Sequence, residues 1–493
     1  MRVLLIAPLG DDPRYPLYFP SENLGLGYLA SYLRERGVDV TLVDANLLRL
    51  AACEISSVVN FAEFSLVGIS ISSHMLVWEA LEVARLVRER NENAHITVGG
   101  HFATFQDTAL LQDHPTIDSV VRGDGEEILW ALFSALSSNG DLAACVGLTW
   151  RHRDTGVIKK NSASQQLVDL DSLPWPARDT LSILREKGHL WATQISTSRG
   201  CFASCSFCDI RAFYGPKWRA RSPVDVVDEI EFINERYGST LFRFSDDEFI
   251  GTNNEGRKRA RLFAEEIIRR GIEVELMIDA RATSVEESLF RLLRKAGAVD
   301  CLIGIESGVD RILRMYNKGA SVDQNVRAIN ILKNIGMTLN LAFIMFDPRM
   351  TFGELRTNFE FLEHNDITTI DALKSWLWPL HGTPALDQIR ELGLITNETI
   401  EGVEYRFQDH QVQAAFNFIS SFKSISFEIE KRIFLERITP NHDTKRLADA
   451  ESTLLDIWRI GYETILYDDK VKFDLLLKEM KKETEDISNR WMQ

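Results

Sequence analysis

"SRGCFASCSFCDI", residues 198–210, puts three cysteines into eight positions of a 493-residue chain that holds six in all. The residues just before, 194–198, read as a buried strand, so the thiols fall on the loop that follows a strand. In a barrel of alternating strands and helices that loop lies at the C-terminal mouth, where active sites are built. The other cysteines, Cys53, Cys145 and Cys301, stand apart in apolar surroundings and read as inert core thiols. Clustered thiols in a reducing compartment point to a metal or to catalysis, not to a disulfide framework.

The alternation continues downstream. Strands are expected at 241–245, 274–279, 301–306, 339–346 and 373–378, with helices such as 224–237 and 254–270 between them. Together with 194–198 they make a partial (β/α)6 barrel of TIM type over residues 191–385. Past 386 the strand signals fade. "FEIEKRIFLERI" and "LLDIWRIGYETILYDDKVKFDLLLKEMKK" have helical periodicity with interspersed charge, so 386–493 reads as a helical domain.

Upstream, "RVLLIAP" (residues 2–8) is a short apolar run suited to a strand buried on both faces. A helix follows with Leu26, Leu29, Ala30 and Leu33 at helical spacing, stopping at Gly37. Strands at 38–44, 66–72, 95–101 and 119–128, with a helix from about Trp78, complete a doubly wound, Rossmann-like α/β domain over 1–146. Residues 147–190 change to short strands and turns around "DLDSLPWPARD" and read as a linker.

The totals narrow the function classes. With 45% hydrophobic and 26% charged residues the chain is ordinarily globular. No apolar run approaches the ~18 residues a membrane helix needs, and Met1 leads into a strand-like run, not a signal peptide. The expected location is cytoplasmic. A net charge of −16 opposes binding to nucleic acid or anionic membrane, which leaves small-molecule or peptide substrates.

Three thiolates on one short loop suit an iron–sulfur cubane, whose fourth iron is then open to a ligand. Zinc is the alternative, but a structural zinc site asks for four ligands, and only Asp209 or a distant histidine could complete it. The C-x3-C-x2-C spacing of Cys201, Cys205 and Cys208, with Phe207 before the last, resembles the radical S-adenosylmethionine superfamily. The resemblance implies a 4Fe-4S cluster on those cysteines, its open iron chelated by S-adenosylmethionine, and a 5′-deoxyadenosyl radical released on reduction.

The strand ends of the barrel supply further candidates for the S-adenosylmethionine site: Phe207, Asp246, Asp247, Glu248, Arg281, Glu306 and Ser307. Carboxylates at 246–248 suit an ammonium, or equally a helix cap or solvated turn. The Arg281 fork suits a carboxylate, or a salt bridge to a neighbouring loop. "LIGIESGVDRILRMYNKG" looks like the family's fourth-strand segment, with Lys318 readable as a polar-face lysine. The fifth strand departs from the common glycine-proline-glycine-glutamate turn, reading "FIMFDPRMTFGEL". "WLWPLHGTPAL" matches the family's Gly-Thr-Pro exit, so Phe346, Asp347, Trp376, Trp378 and His381 are expected on the substrate cavity, the aromatics being equally suited to a core.

In the first domain, "ENLGLGYLASYLRERGVDVTLVDAN", "GISISSHM", "VGGHFAT" and "VVRGDGEEI" together resemble the cobalamin-binding domain of the cobalamin-dependent branch of that superfamily. The candidate cobalamin contacts are Leu24, Gly25, Ser70, Ser72, His74, Met75, Gly99, Gly100, His101, Thr104, Gly123, Gly125 and Glu126. Glycines there let backbone approach a large macrocycle, or serve tight βα turns only. The aspartate-x-histidine-x-x-glycine motif that ligates cobalt in other cobalamin proteins is absent, so base-off binding without that histidine is expected, with His74 or Met75 on the lower cobalt face.

The resemblance implies methylation of an unactivated carbon through methylcobalamin and the 5′-deoxyadenosyl radical, fed by flavodoxin or ferredoxin. Ring closure or rearrangement without methyl transfer is the first alternative. A cobalamin carrier or sensor with a degenerate barrel is the second.

Overall fold

A computed structural model gives the fold and describes residues 1–10, 21–164, 168–183, 192–251, 253–400, 402–437, 443–468 and 472–491. Parts of the stretch expected as linker, 165–167 and 184–190, lie outside the described residues. The chain divides into two compact units: Met1–Phe202 with Asp209–Leu276 and Thr399–Gly402, and Ala203–Cys208 with Met277–Glu398 and Val403–Gln493. Compactness thus divides the chain on other lines than its motifs do.

In the first unit, β1 (Val3–Ala7), β2 (Val40–Asp44), β3 (Leu66–Ser70), β4 (His95–Gly99) and β5 (Ser119–Val121) form a parallel sheet in the order β2-β1-β3-β4-β5. All five residues of β1 are buried, with Leu4 and Ile6 facing one core and Val3, Leu5 and Ala7 the other. The first core is closed by Ala80, Val83, Ala84 and Val87 of the helix Val77–Arg90. Leu26, Ala30 and Leu33 of Leu24–Glu35, with Ile128, Leu129 and Leu132 of Gly125–Ser137, close the second. Each fully buried aliphatic chain contributes about 1.5–3 kcal/mol, more than the ~1 kcal/mol net of a ladder hydrogen bond. Burial on both faces therefore sets β1 inside the sheet, not at its edge. The strand order reverses there, making the β1–β3 edge the topological switch point where ligands bind in such folds.

Residues at the start of the expected linker extend this sheet. β6 (Leu148–Arg151) pairs antiparallel with β5, where Leu148 and Trp150 join the second core, and β7 (Ile158–Lys160) pairs antiparallel with β6. Farther on, Arg178 is buried and fixes three segments: its Nη1 donates to Glu22 (2.7 Å), its Nη2 to Glu229 (2.7 Å) and the Gln194 carbonyl (2.9 Å).

His95 opens β4, its Nε2 lying 2.8 Å from Ser119 Oγ, and burial pushes its pKa down from 6.5 to about 4. The folded chain holds it neutral while the unfolded chain takes up a proton below pH 6.5. Its contribution is complete above that pH and is lost as pH falls toward 4, by at most about 3 kcal/mol. Urea midpoints of the native chain and His95→Gln between pH 7 and 4.5 should show the shallower acid slope for the variant. Parallel slopes would refute this.

The rest of the first unit carries β8 (Thr193–Ile195), the antiparallel ribbon β9 (Ser198–Arg199) and β10 (Arg219–Ala220), and β11 (Leu241–Phe244), which pairs parallel with β8. The helices Pro223–Tyr237 and Asn254–Arg270 start on the caps Ser222 and Asn253, whose side chains accept N–H bonds from Asp225 and Gly256. β12 (Glu275–Arg281) carries the chain into the second unit.

There β13 (Ala298–Glu306) pairs parallel with β14 (Thr338–Phe343). The expected sixth strand, 373–378, does not form. Thr369 caps a helical turn, Ile370–Leu373, and only Trp376 makes a parallel bridge, to Phe346. Pro379, lacking an N–H, follows close behind. Two short strands that the sequence reading missed, β15 (Ile395–Thr399) and β16 (Gly402–Tyr405), precede the helices His410–Arg437, Thr444–Tyr467 and Phe473–Trp491. β15 is exposed along most of its length and so has no apolar alternation to betray it. Cys145 and Cys301 are buried as expected, but Cys53 is exposed, in the short 3-10 helix Ala52–Ser57, where Ala52 and Ile55 are the buried members. No described helix is long and apolar enough to cross a membrane.

Candidate active site

In the first unit, Cys201 follows β9 across Gly200. Gly200 has φ +82°, and a Cβ there would meet the Lys217 carbonyl oxygen at 2.5 Å, so only glycine fits. The carboxylates expected at the cofactor first serve this loop. Asp246 accepts the N–H groups of Thr197 (2.7 Å) and Ser198 (3.0 Å), and burial raises its pKa despite those bonds. Asp247 accepts the Gly200 N–H at 2.9 Å; burial pushes its pKa up to about 6. Glu248 is fully buried, accepts the Ile250 N–H (3.2 Å), and its carbonyl takes the Trp218 indole N–H (2.7 Å). Arg259 closes the turn through the carbonyls of Thr197 (2.8 Å) and Arg221 (2.7 Å).

The same unit contains a cavity of about 380 Å³ at the switch point of its sheet. Leu24, Gly25, Ser70, Ser72, Gly99, Gly100, His101, Gly123, Gly125 and Glu126 line it, as does Asp247. Thr104 stands behind the wall, its Oγ1 accepting the Gly123 N–H at 3.1 Å. His74 and Met75, expected on the lower cobalt face, are half-buried in the turn His74–Leu76 and do not line the cavity. His101 does: it stacks on Phe213 (centroids 3.7 Å apart, 11°), with Nδ1 3.8 Å from Asp209. Sequence reasoning missed Asn23, Tyr28, Arg199, Phe213 and Tyr214 on this wall. Asn23 was discoverable as a helix cap, since it accepts the Leu26 N–H at 2.9 Å; the three aromatics had no signal.

The cavity's chemistry suits a large amide-bearing macrocycle. Asn23, Ser70, Ser196, Ser198 and Ser245 offer short polar groups around it. Where a side chain at Gly123 would stand, nothing lies within 4 Å, which leaves backbone open to a ligand. Gly100 is different: with φ +109°, a Cβ would meet the Ile71 carbonyl at 2.9 Å, so the turn itself requires it.

In the second unit, the Cys208 N–H bonds the Cys205 carbonyl at 3.2 Å, a turn that sets both thiols on one short segment. Ser206 anchors it, its N–H on the Tyr316 carbonyl and its own carbonyl on the Ala385 N–H, both at 2.8 Å. Arg281, at the end of β12, places Nη1 3.3 Å from Cys205 Sγ. A guanidinium N–H at that distance donates to the sulfur and fixes where it points. Among the described residues no three His, Cys, Asp or Glu side chains close round a point that one metal ion would fill. A cubane makes a different demand, one thiolate to each of three irons.

Phe207 packs edge-on against Tyr316 (5.1 Å, 73°), whose hydroxyl donates to Asp347 (3.0 Å). Glu306, at φ +64°, pairs with Lys318 at 2.7 Å, both buried, so Lys318 is no solvated polar-face lysine. Ser307 donates to Asn358 Oδ1 (2.8 Å), which also takes the Gly308 N–H (2.8 Å), and a Cβ on Gly308 would collide with the Phe361 ring at 2.4 Å. Phe346 and Asp347, expected on the substrate wall, are fully buried instead. Phe346 packs on Phe407 and Phe416, and Asp347 is held by Arg349 at 2.7 Å. Trp376 and Trp378 stack at 5.3 Å and, like His381, are half-buried. Lys423, which the sequence reading missed, sits 4.2 Å over the Trp376 ring; burial, then Lys374, lowers its pKa to about 8.

Comparison with known proteins agrees with both halves. The Radical SAM superfamily profile matches residues 195–362, and the B12 binding domain profile residues 16–133. An anaerobic magnesium-protoporphyrin IX monomethyl ester cyclase of Synechocystis sp. is 30% identical over 388 residues, 77% of this chain and 72% of the relative. The uncharacterized methyltransferase PH0819 of Pyrococcus horikoshii is 28% identical over 369 residues, 74% and 79% of the two chains. The cobalamin-dependent S-adenosylmethionine radical enzyme OxsB, solved with aqua-cobalamin and S-adenosylmethionine bound, shares the fold. Its TM-score is 0.80 at 21% identity, covering 100% of this chain and 78% of that one. The chain belongs to the cobalamin-dependent radical S-adenosylmethionine enzymes. Its cofactors are a 4Fe-4S cluster, S-adenosylmethionine and cobalamin.

Proposed function

We propose that this enzyme is a methyltransferase that adds a methyl group to an unactivated carbon of a small-molecule or peptide natural product. One chain combines a thiol triplet, with a guanidinium against Cys205, and a cavity of short polar groups and open glycine backbone; that pairing carries the reading. When bound, the cluster with S-adenosylmethionine supplies a carbon radical, and cobalamin a transferable methyl group. In this reading Cys201, Cys205 and Cys208 hold the cluster, and Arg281 orients the Cys205 sulfur. Glu306 and Ser307, fixed by Lys318 and Asn358, present the fourth-strand carbonyls and carboxylate to S-adenosylmethionine. The first-unit cavity receives cobalamin, with His101 beneath a wall held by Phe213. Trp376, Trp378 and Lys423 bound the substrate, and a flavodoxin or ferredoxin donor in the cytoplasm supplies electrons.

The Synechocystis relative favours a second reading, ring closure without methyl transfer. Product analysis separates them. With the anaerobically reconstituted enzyme, hydroxocobalamin and candidate substrates, methylation releases S-adenosylhomocysteine and 5′-deoxyadenosine in comparable amounts and adds one methyl mass to the substrate. 5′-Deoxyadenosine with no S-adenosylhomocysteine would overturn the first reading and favour the second.

A further inference from the structure

One group of buried charges in the first unit links the cavity wall to the backbone just before Cys201. Arg199 places Nη1 3.0 Å from Asp124 and Nη2 2.7 Å from Glu126, while Arg219 reaches the other oxygen of Asp124 at 2.7 Å. All four side chains are no more than 12% exposed. The two arginines face each other across the β9–β10 ribbon, and the two carboxylates belong to the Gly123–Glu126 turn on the cavity wall. From Arg199 to Cys201 there is only Gly200, where a Cβ would meet the Lys217 carbonyl oxygen and whose N–H is tied to Asp247, a second residue of the same wall.

We propose that Arg199 is a positioning residue, transmitting the filling of the first-unit cavity by cobalamin to the backbone that sets Cys201. The inference rests on the assignment of cobalamin to this cavity. A ligand seated on Gly123 and Gly125 fixes Asp124 and Glu126. The planar fork of Arg199 spans both carboxylates, so fixing them fixes the arginine, and Gly200, held by its N–H bond to Asp247, passes that order to Cys201. A lysine keeps the charge but, as a single point donor, cannot hold both carboxylates in one geometry. Coupling of this kind is demonstrated by a response that depends on both sites.

The test uses the full-length chain reconstituted anaerobically with iron and sulfide, with and without hydroxocobalamin, and reads amide hydrogen exchange over residues 196–202. Cobalamin should slow exchange there at least about threefold in the native chain, and Arg199→Lys should abolish most of that difference. A merely structural Arg199 would raise exchange equally with and without cobalamin, which would overturn the proposal. So would native exchange that ignores cobalamin. A urea midpoint for Arg199→Lys within error of the native value guards against a general folding defect in the lysine variant. Bound cobalamin is followed by its own visible absorbance. If the native chain retains none, the cavity assignment falls and this proposal with it; if it is retained without effect on 196–202, only the role of Arg199 falls.

Discussion

Replacing Cys205 by alanine is expected to abolish formation of 5′-deoxyadenosine, by at least about a thousandfold, while cobalamin is still bound. Removing one thiolate of three leaves the cluster without a fixed corner, so no electron is delivered to S-adenosylmethionine. Cys205 is absent from the lining of the cobalamin cavity, so the visible absorbance of bound cobalamin should be unchanged. Arg281→Gln should act in the same direction but less severely, because the Cys205 sulfur remains and loses only the guanidinium at 3.3 Å. Quantifying adenosine products by mass spectrometry, alongside iron content, checks both variants. Persistent cleavage in Cys205→Ala would remove the cluster assignment altogether.

The largest effect on stability should come from Arg178→Met. The Arg178 side chain is 5% exposed and sits between Glu22 and Glu229, whose side chains are 6% and 1% exposed. Without it, Arg221 still serves Glu229 at 2.5 Å, but Glu22 becomes a buried carboxylate with no cation. Breaking a buried pair by deleting one partner costs about 3–5 kcal/mol, much more than an exposed bridge such as that of Arg2 with Asp39. The urea midpoint should fall sharply, and the double variant Arg178→Met, Glu22→Gln should recover part of the loss. A midpoint within error of the native value would show that the network contributes little.

Much of the fold was legible because its strands announce themselves by burial. β1 through β5 are short apolar runs ended by turn residues, and the helices Pro223–Tyr237 and Asn254–Arg270 carry their caps in the sequence. The sixth barrel strand misled because "LKSWLW" is apolar enough for a strand, yet Thr369 and Pro379 on its flanks favour a turn and an end. The linker misled for the opposite reason: β6 and β7 are too short to show a period, and only the pairing of β6 with β5 and of β7 with β6 makes them part of a sheet. At the site, the three cysteines were read from spacing alone. The aspartates at 246 and 247 were noticed as chemistry, but their bonds to the backbone of 197–200 are long-range facts that no local pattern encodes. Lys423 and Arg199 were missed for the same reason, since each takes its meaning from partners far away in sequence.

The crowded turn at Gly308 bears on how this scaffold could be engineered. With Asn358 bridging Ser307 and Gly308, and the Phe361 ring filling the space of any side chain at 308, these positions tolerate almost no diversity. A directed-evolution library should freeze 307, 308, 358 and 361 and, on the proposed substrate assignment, place its randomised codons at 376, 378 and 423.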